Sequence, residues 1–353
     1  MAIVDRTNNV PGVITILPIL HVILQKCGYM LSCRCRFGYL TADACPEYTR
    51  FPMIPSRAPY REIASIISRF APQDGEYGTA IGNLFLRRHS SPTQPAHTAQ
   101  WPCFALVAQG AKSLTLGAEV YDYGLGNYLV VSLDLPVVSR VTEASSEVPH
   151  LGLGMAIDTE RLSDLLARLN MPHAAPSGRM PGVGVNMAPP PLLDATLRLL
   201  RLLDQPEDIP AIAPLIEQEI LYHLLRGPNG PRLLQIATSG SPSNRVAKAI
   251  AWLRANYARP LRIEELAERV GMSVSSLHHN FKAATALTPM QYQKQLRLHE
   301  ARRLMLVEHL DVGAAGHRVG YQSLSQFGLE YSRLYGRSPL RDLAGLRDLM
   351  AAE

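Results

Sequence analysis

The stretch 263–281, IEELAERVGMSVSSLHHNF, decides how the chain is read. Ile263, Leu266, Ala267 and Val270 recur at the i, i+3, i+4, i+7 spacing of one helical face. Gly271 follows, free to take the positive φ of a sharp turn, and Ser273 carries a hydroxyl suited to capping a second helix. In that second helix Leu277 and Phe281, four apart, turn inward and leave Ser275, Ser276, His278 and His279 outside. Ala267 where the helices touch, Gly271 at the turn and Leu277 in the core have the spacing of a helix-turn-helix, whose second helix enters the major groove of DNA. Any helical hairpin with a glycine turn shares part of this pattern, so the surrounding sequence has to separate the two.

Downstream, Thr288-Pro289 opens a long helix over about 290–308, with Thr288 as cap and proline in the first turn. After Asp311 the motif recurs: a short helix, Val319-Gly320-Tyr321, Ser323 as cap, then LSQFGLEYSRLYG and Ser338-Pro339. Upstream, residues 245–257 form a helix with Val246, Ile250 and Leu253 inward. Two helix-turn-helices bridged by one helix is a much rarer arrangement than a single hairpin.

The chain has 353 residues, 47% apolar and 18% charged, which suits two globular domains. The formal net charge is +5, and from Asn244 onward 16 Lys/Arg stand against 10 Asp/Glu. A basic C-terminal region joined to a near-neutral front part suits a polyanion reader attached to something else. Cys27, Cys33, Cys35 and Cys45 crowd the first 45 residues and Cys103 stands alone, an odd count that does not resemble a secreted disulfide scaffold. The apolar runs are too short to span a bilayer, so no membrane partner and a cytoplasmic location are expected.

Residues 1–52 lack sustained periodicity. Their cysteine gaps (x5, x1, x9) do not match paired zinc knuckles, so no metal is expected there. This leader, drawn as 1–57, is expected to be disordered or to lie upstream of a true start at Met53; intact mass of the natural product distinguishes these. Residues 60–70 (YREIASIISRF) form an amphipathic helix. From 84 to 153 the texture is of short strands (LFLRRHS, FALVAQG, KSLTLG, EVYDYG, NYLVVSLDLP, SRVTEAS) punctuated by Gly110, Gly117, Gly124 and Gly126. That is the pattern of a small antiparallel barrel or jelly roll. His89, His97 and His150 are isolated and Glu119 has no histidine beside it, so a catalytic metal centre is not expected. Cys103 reads as a core residue rather than a reactive thiol. A helix over 159–169, with Thr159 as candidate cap, leads into PHAAPSGRMPGVGVNMAPPP, read as an irregular connector. Leucine-rich helices over 192–203 and 212–225 follow, packing on the barrel or pairing in a homodimer, and 228–244 reads as an interdomain linker.

The region 245–345 resembles the DNA-binding domain of AraC/XylS-type transcription regulators. The resemblance rests on A-x3-G-x-S-x3-L-x3-F-K from Ala267 to Lys282, T-P-x2-Y from Thr288 to Tyr292, Arg297, Ala301 and Leu304, and RVGY at 318–321. FALVAQG, YLVVSLDLPV and the run from Leu199 through Leu225 resemble the N-terminal cupin-like barrel of one subgroup, placed at 58–227. The implied fold is α+β: a cupin-like β-barrel with flanking helices, then an all-α domain with two helix-turn-helix units. The implied activity is sequence-specific binding of double-stranded DNA in transcription regulation, with a small-molecule effector, RNA polymerase and a second copy as further candidate partners and no cofactor. A cupin-type enzyme with an accessory DNA-binding domain is the competing reading.

The resemblance also assigns positions. In the first reading helix Ser275, His278 and His279 face bases with Ser276 beside them, while Ser273 and Lys282 flank the helix. The second helix offers Ser323, Leu324, Ser325, Gly328 and Leu329, with Arg333 and Arg337 for the phosphate backbone. Gly328 and Leu329 stand where family members commonly carry polar or basic side chains, so the first unit is expected to carry most base discrimination. Gly313 and Gly316 stand where alanine is usual, and each interior glycine costs about 0.5–1 kcal/mol against alanine, so a weaker second unit is expected. Ala286 stands where a turn glycine is widespread, and a positive φ there would strain it.

Overall fold

The computed structural model describes residues 57–169 and 180–351, with side chains through residue 345. The expectations for residues 1–52, including Cys27, Cys33, Cys35 and Cys45, lie outside the described residues. The chain opens with α1 (Arg57–Phe70), whose apolar positions Tyr60, Ile63, Ile66 and Ile67 are all buried. Ten strands follow in two antiparallel sheets: β1 (Gly75–Gly78), β2 (Leu84–His89), β3 (Ala96–Gln100), β4 (Cys103–Gln109), β5 (Ala111–Leu116), β6 (Glu119–Gly124), β7 (Asn127–Val131), β8 (Leu135–Glu143), β9 (His150–Ala156) and β10 (Val183–Met187). One sheet runs β1-β2-β9-β4-β7-β10 and the other β3-β8-β5-β6. Among the described residues no ladder joins them, so the cupin-like barrel is two facing sheets rather than a closed ring.

Strand register sorts the side chains. Leu84, Leu86, Phe104, Leu106, Leu153 and Met155 share one face of the six-stranded sheet and pack under α1. The opposite face carries Arg87, His89, His150 and Cys103. It looks toward the second sheet, as the hydrogen bond from Gln100 Nε2 on β3 to Cys103 Sγ (3.3 Å) establishes.

The irregular connector contains β10, which pairs with β7 from Val183↔Val131 to Met187↔Asn127. Its ladder is long-range, so local Pro and Gly content hid it. The run NYLVVSLDLP is two strands, broken at 132–134, where Asp134 turns toward the helical region. At α2 (Thr159–Leu169) the capping side chain is Asp158, whose Oδ1 accepts from Glu160 N (2.8 Å), and not Thr159. Of the leucine-rich pair, α3 (Pro190–Arg201) packs on α1 and on α4 (Ile209–Arg226). The expected linker contains α5 (Gly230–Ala237), held by buried Leu233 and Ile236. Then come α6 (Pro242–Ala255), α7 (Ile263–Arg269), α8 (Val274–Thr285), α9 (Pro289–Val307), α10 (Val312–Arg318), α11 (Leu324–Tyr335) and α12 (Pro339–Ala351).

The core divides inside α9. One continuous apolar cluster runs from Tyr60 through the sheets and the first helix-turn-helix to Tyr292. A second, from Leu298 to Leu343, belongs to α9–α12. Contacts between sheets and helices concentrate on the first unit: Gly182 N–H donates to Ala284 O (3.0 Å), Tyr292 Oη donates to Asp134 O (2.9 Å), and Arg254 pairs with Asp134. The second unit touches the β-domain through the rings of His97 and Tyr335, 5.8 Å apart.

Candidate nucleic-acid interface

The first unit is built as its sequence pattern implies. Glu264 and Glu265 lie in the first turn of α7, where carboxylates favour the positive end of the helix dipole. Gly271 takes φ +68° and Met272 N–H closes the turn onto Ala267 O (2.9 Å). Ser273 Oγ accepts from Ser276 N (3.2 Å) and starts α8. Leu277 and Phe281 are fully buried, Phe281 edge-on to Tyr292 at 5.4 Å. This fixes the outward face: Ser273, Ser275, His279 and Lys282 are exposed, and Ser276 and His278 are half-buried. One detail lay outside the sequence reading. Asn280 Nδ2 donates to Ser276 Oγ (3.1 Å) and Ser276 O (2.8 Å), so the Ser276 hydroxyl is already engaged.

The second unit repeats this geometry with different packing. Asp311 Oδ1 caps α10 by accepting from Ala314 N (2.8 Å), Gly320 takes φ +94°, and Ser323 Oγ accepts from Gln326 N (3.3 Å). Ser323, Leu324, Ser325, Leu329, Arg333 and Arg337 are all exposed. Among the described residues Arg333 and Arg337 have no hydrogen-bond or ion-pair partner. Leu324 and Leu329, 46% and 54% exposed, give this face an apolar character that Ser275 and His279 do not give the first.

The packing of the second unit accounts for one of the two glycines in α10. A methyl at Gly316 would meet the Phe327 ring at 3.2 Å, so that ring occupies the space an alanine would take. Phe327, Tyr331 and Tyr335 stack in sequence at 5.6 and 4.5 Å. Tyr331 Oη donates to buried Asp342 (2.7 Å), which also receives a bidentate bond from Arg302 (2.8 and 3.1 Å). Arg297, conspicuous in sequence only as part of the family pattern, links the two units. It donates to Tyr257 O (2.7 Å) and Arg259 O (2.9 Å) beyond α6 and to Gly320 O (3.4 Å) in the second turn.

Ala286 closes α8 with φ +60°, the strained conformation expected from the missing glycine. A left-handed alanine costs roughly 1 kcal/mol. Ala286→Gly should therefore raise unfolding free energy by about 0.5–1 kcal/mol, a gain of a few degrees readable by thermal melting. Gly117 faces this alanine: a Cβ there would lie 2.5 Å from Ala286 Cβ.

Cys103 is buried, and burial pushes its thiol up to about 12, which keeps it protonated and unreactive. Among the described residues no three His, Cys, Asp or Glu side chains converge as a metal site, and no helix is long and apolar enough to cross a membrane.

A family model described as the AraC-type transcriptional regulator N-terminus matches residues 80–232, and a helix-turn-helix domain model matches 266–344. The HTH-type transcriptional activator RhaS of Pectobacterium carotovorum subsp. carotovorum is 29% identical over 179 residues, 50% of this chain and 62% of that protein. RhaS of Escherichia coli is 30% identical over 160 residues, 44% and 56% of the two chains. The chain thus spans less than two thirds of either activator. Among solved structures, ToxT from Vibrio cholerae bound to (E)-4-(8-methylnaphthalen-1-yl)but-3-enoic acid matches with a TM-score of 0.50 at 10% identity, over 70% of this chain and 92% of that one.

Proposed function

Because the chain belongs to the AraC/XylS-type transcription regulators, we propose that it binds operator DNA sequence-specifically and controls transcription in response to an effector taken by its β-domain. The observation that carries this reading is the pair of capped, outward-facing helices α8 and α11 bridged by α9. Each leaves a helix face free for the major groove. Residues 58–227 act as the sensor and 245–345 as the reader. The protein works in the cytoplasm; RNA polymerase is the further partner of an activator, and a homodimer would double the site.

The two readers divide the work. His279 and Ser275 on α8 hydrogen-bond base edges, while α11 offers Leu324 and Leu329 for thymine methyls and Arg333 and Arg337 for phosphates. The shared core lets the β-domain act mainly on the first unit, the one that discriminates sequence.

Gel shifts and footprints on the DNA upstream of the protein's own gene test this. His279→Ala should relax base preference over one half of the footprint, at about 1–3 kcal/mol per lost contact. Leu329→Ala should change affinity by less than about 0.5 kcal/mol, and a loss of about 2 kcal/mol there would overturn the division of labour. Absence of any sequence preference would refute the regulatory reading itself.

A further inference from the structure

The face of the six-stranded sheet that α1 covers ends in a charge. Leu84, Leu86 and Arg88 alternate along β2 and point the same way. Leu84 and Leu86 are buried under α1, and Arg88 stands opposite buried Leu151 of β9. The Arg88 side chain is only 21% exposed, yet among the described residues its guanidinium makes no hydrogen bond. The carboxylate beside it, Asp74, lies 3.9 Å from its Nε and is bonded to Ser90 through both oxygens (2.7 Å each). A guanidinium carries five N–H donors, and covering most of it without an acceptor costs stability that an apolar side chain at the end of this face would not.

That end of the face opens into a cleft of about 380 Å³ between α1, β2 and the loop from β8 to β9. Buried Ala64, Pro149 and Leu151 give it an apolar floor. Arg61, on the exposed side of α1, brings a second guanidinium, which has no partner among the described residues. Glu147 supplies the one carboxylate of the lining, and it too is unpartnered among the described residues. The turn that carries Glu147 is closed by Ser145 N–H donating to Val148 O and Val148 N–H donating to Ser145 Oγ (3.0 Å each). Gln109 Nε2 on β4 donates to Pro149 O (2.7 Å) and holds the same loop in place.

We propose that this cleft binds an acidic α-amino acid, aspartate or glutamate, with its two carboxylates on Arg88 and Arg61 and its ammonium on Glu147. The two cations and one anion of the lining meet two anions and one cation on the ligand, so the complex is neutral. A guanidinium fork donates two parallel N–H bonds to a carboxylate, which is what Arg88 lacks within the chain. A neutral amino acid would leave one arginine unanswered, and a plain diacid would set an anion against Glu147. The hydroxyls of Ser65 and Ser68 on α1 line the same cleft and have no partner among the described residues, and the ligand's methylenes lie on the apolar floor. That this amino acid is the regulatory effector rests on the function proposed above, whereas the site rests on its own residues.

The three charges contribute unequally. Arg88 is already largely out of water, so its ion pair is screened less than those of exposed Arg61 and Glu147. Arg88→Met should therefore weaken the ligand about tenfold or more, while Arg61→Gln weakens it by about twofold to fivefold. The methionine extends the apolar series of Leu84 and Leu86 under α1, so the variant should melt no lower than the unaltered protein.

The test is calorimetry on the full chain with L-glutamate and L-aspartate. Each is compared with its diacid lacking the ammonium (glutarate, succinate) and its amide lacking one carboxylate (L-glutamine, L-asparagine). At least one acidic amino acid should bind with a Kd below about 1 mM, its diacid and amide each about fivefold weaker or worse. In Glu147→Gln the amino acid and its diacid should come within about twofold of each other. No binding at millimolar concentration, equal binding of the diacid or the amide, or full affinity in Arg88→Met would each overturn the proposal. If Arg88→Met fails to fold, the ligand ratios on the unaltered protein and on Glu147→Gln, a change at an exposed position, decide. A gel shift on the same samples separates the two readings: amino-acid binding without DNA binding refutes the regulator and keeps the site, and DNA binding without amino-acid binding refutes the site alone.

Discussion

Gly320→Ala should cost about 3 kcal/mol or more and unfold the second helix-turn-helix. At φ +94° an L side chain is strained on backbone grounds alone. Its Cβ would also lie 2.2 Å from Ala258 O and 3.0 Å from Ala258 C, both main-chain atoms. That main chain cannot recede cheaply, because Arg297 holds it through Tyr257 O and Arg259 O. Gly271 at the equivalent turn is the natural control. Its φ of +68° is also left-handed, but the nearest atom to an added Cβ is the Arg245 guanidinium at 3.8 Å, an ordinary van der Waals contact. Gly271→Ala should therefore cost only about 1 kcal/mol. Denaturant unfolding of both variants checks the difference. If Gly320→Ala loses no more stability than Gly271→Ala, the Ala258 contact does not constrain the turn.

Stability should also fall steeply as pH drops from 6.5 toward 4, before most carboxylates titrate. His150 is held down to about 3 by burial, Lys112 and His89; His299 is held down to about 4 by burial, His97 and Arg302. In the unfolded chain both return to about 6.5. As pH falls below that value the unfolded state binds two protons that the native state does not. The stabilisation is fully present above about pH 6.5 and is lost as pH falls through the folded values. Each such proton gives a slope of about 1.4 kcal/mol per pH unit, so two give nearly 3. Asp74, bonded to Ser90, and Glu330, bonded to Tyr321 and Lys294, are themselves held low and titrate later. Unfolding free energies measured across this range should show the slope, and His150→Leu should remove about half of it. A flat profile between pH 6.5 and 5 would mean that neither ring is held neutral by the fold.

Much of the helical half was legible because its signals are local. The caps Ser273, Thr288 and Ser323, the turn glycines 271 and 320 and the strained Ala286 all stand where the residue pattern puts them. The β-half was read less completely. Of the strands missed, β1 (GEYG), β3 (AHTAQ) and β10 (VGVNM) are sheet edges, where one side of the strand needs no partner and apolar alternation weakens. The other, β9 (HLGLGMA), lies between β2 and β4, buried on both faces and interrupted by Gly152 and Gly154. Lys112 and His150 looked unremarkable for a related reason. They are 38 positions apart in the chain and on different sheets, and the facing of the two sheets is what brings them together. On α8, the engagement of Ser276 by Asn280 follows from i, i+4 spacing and was within reach of the sequence.

The bridging helix has one more consequence for the DNA. α9 is 19 residues long, roughly 28 Å at 1.5 Å per residue, and Arg297 ties its middle to the flanks of both turns. A strut of that length, pinned at its centre, behaves as a ruler. Under the function proposed above, with α8 and α11 set at its two ends, their targets would recur on one side of the double helix about one pitch, 34–36 Å, apart. Inserting half a pitch of DNA between those targets would rotate one of them to the far side, where a rigid ruler cannot follow.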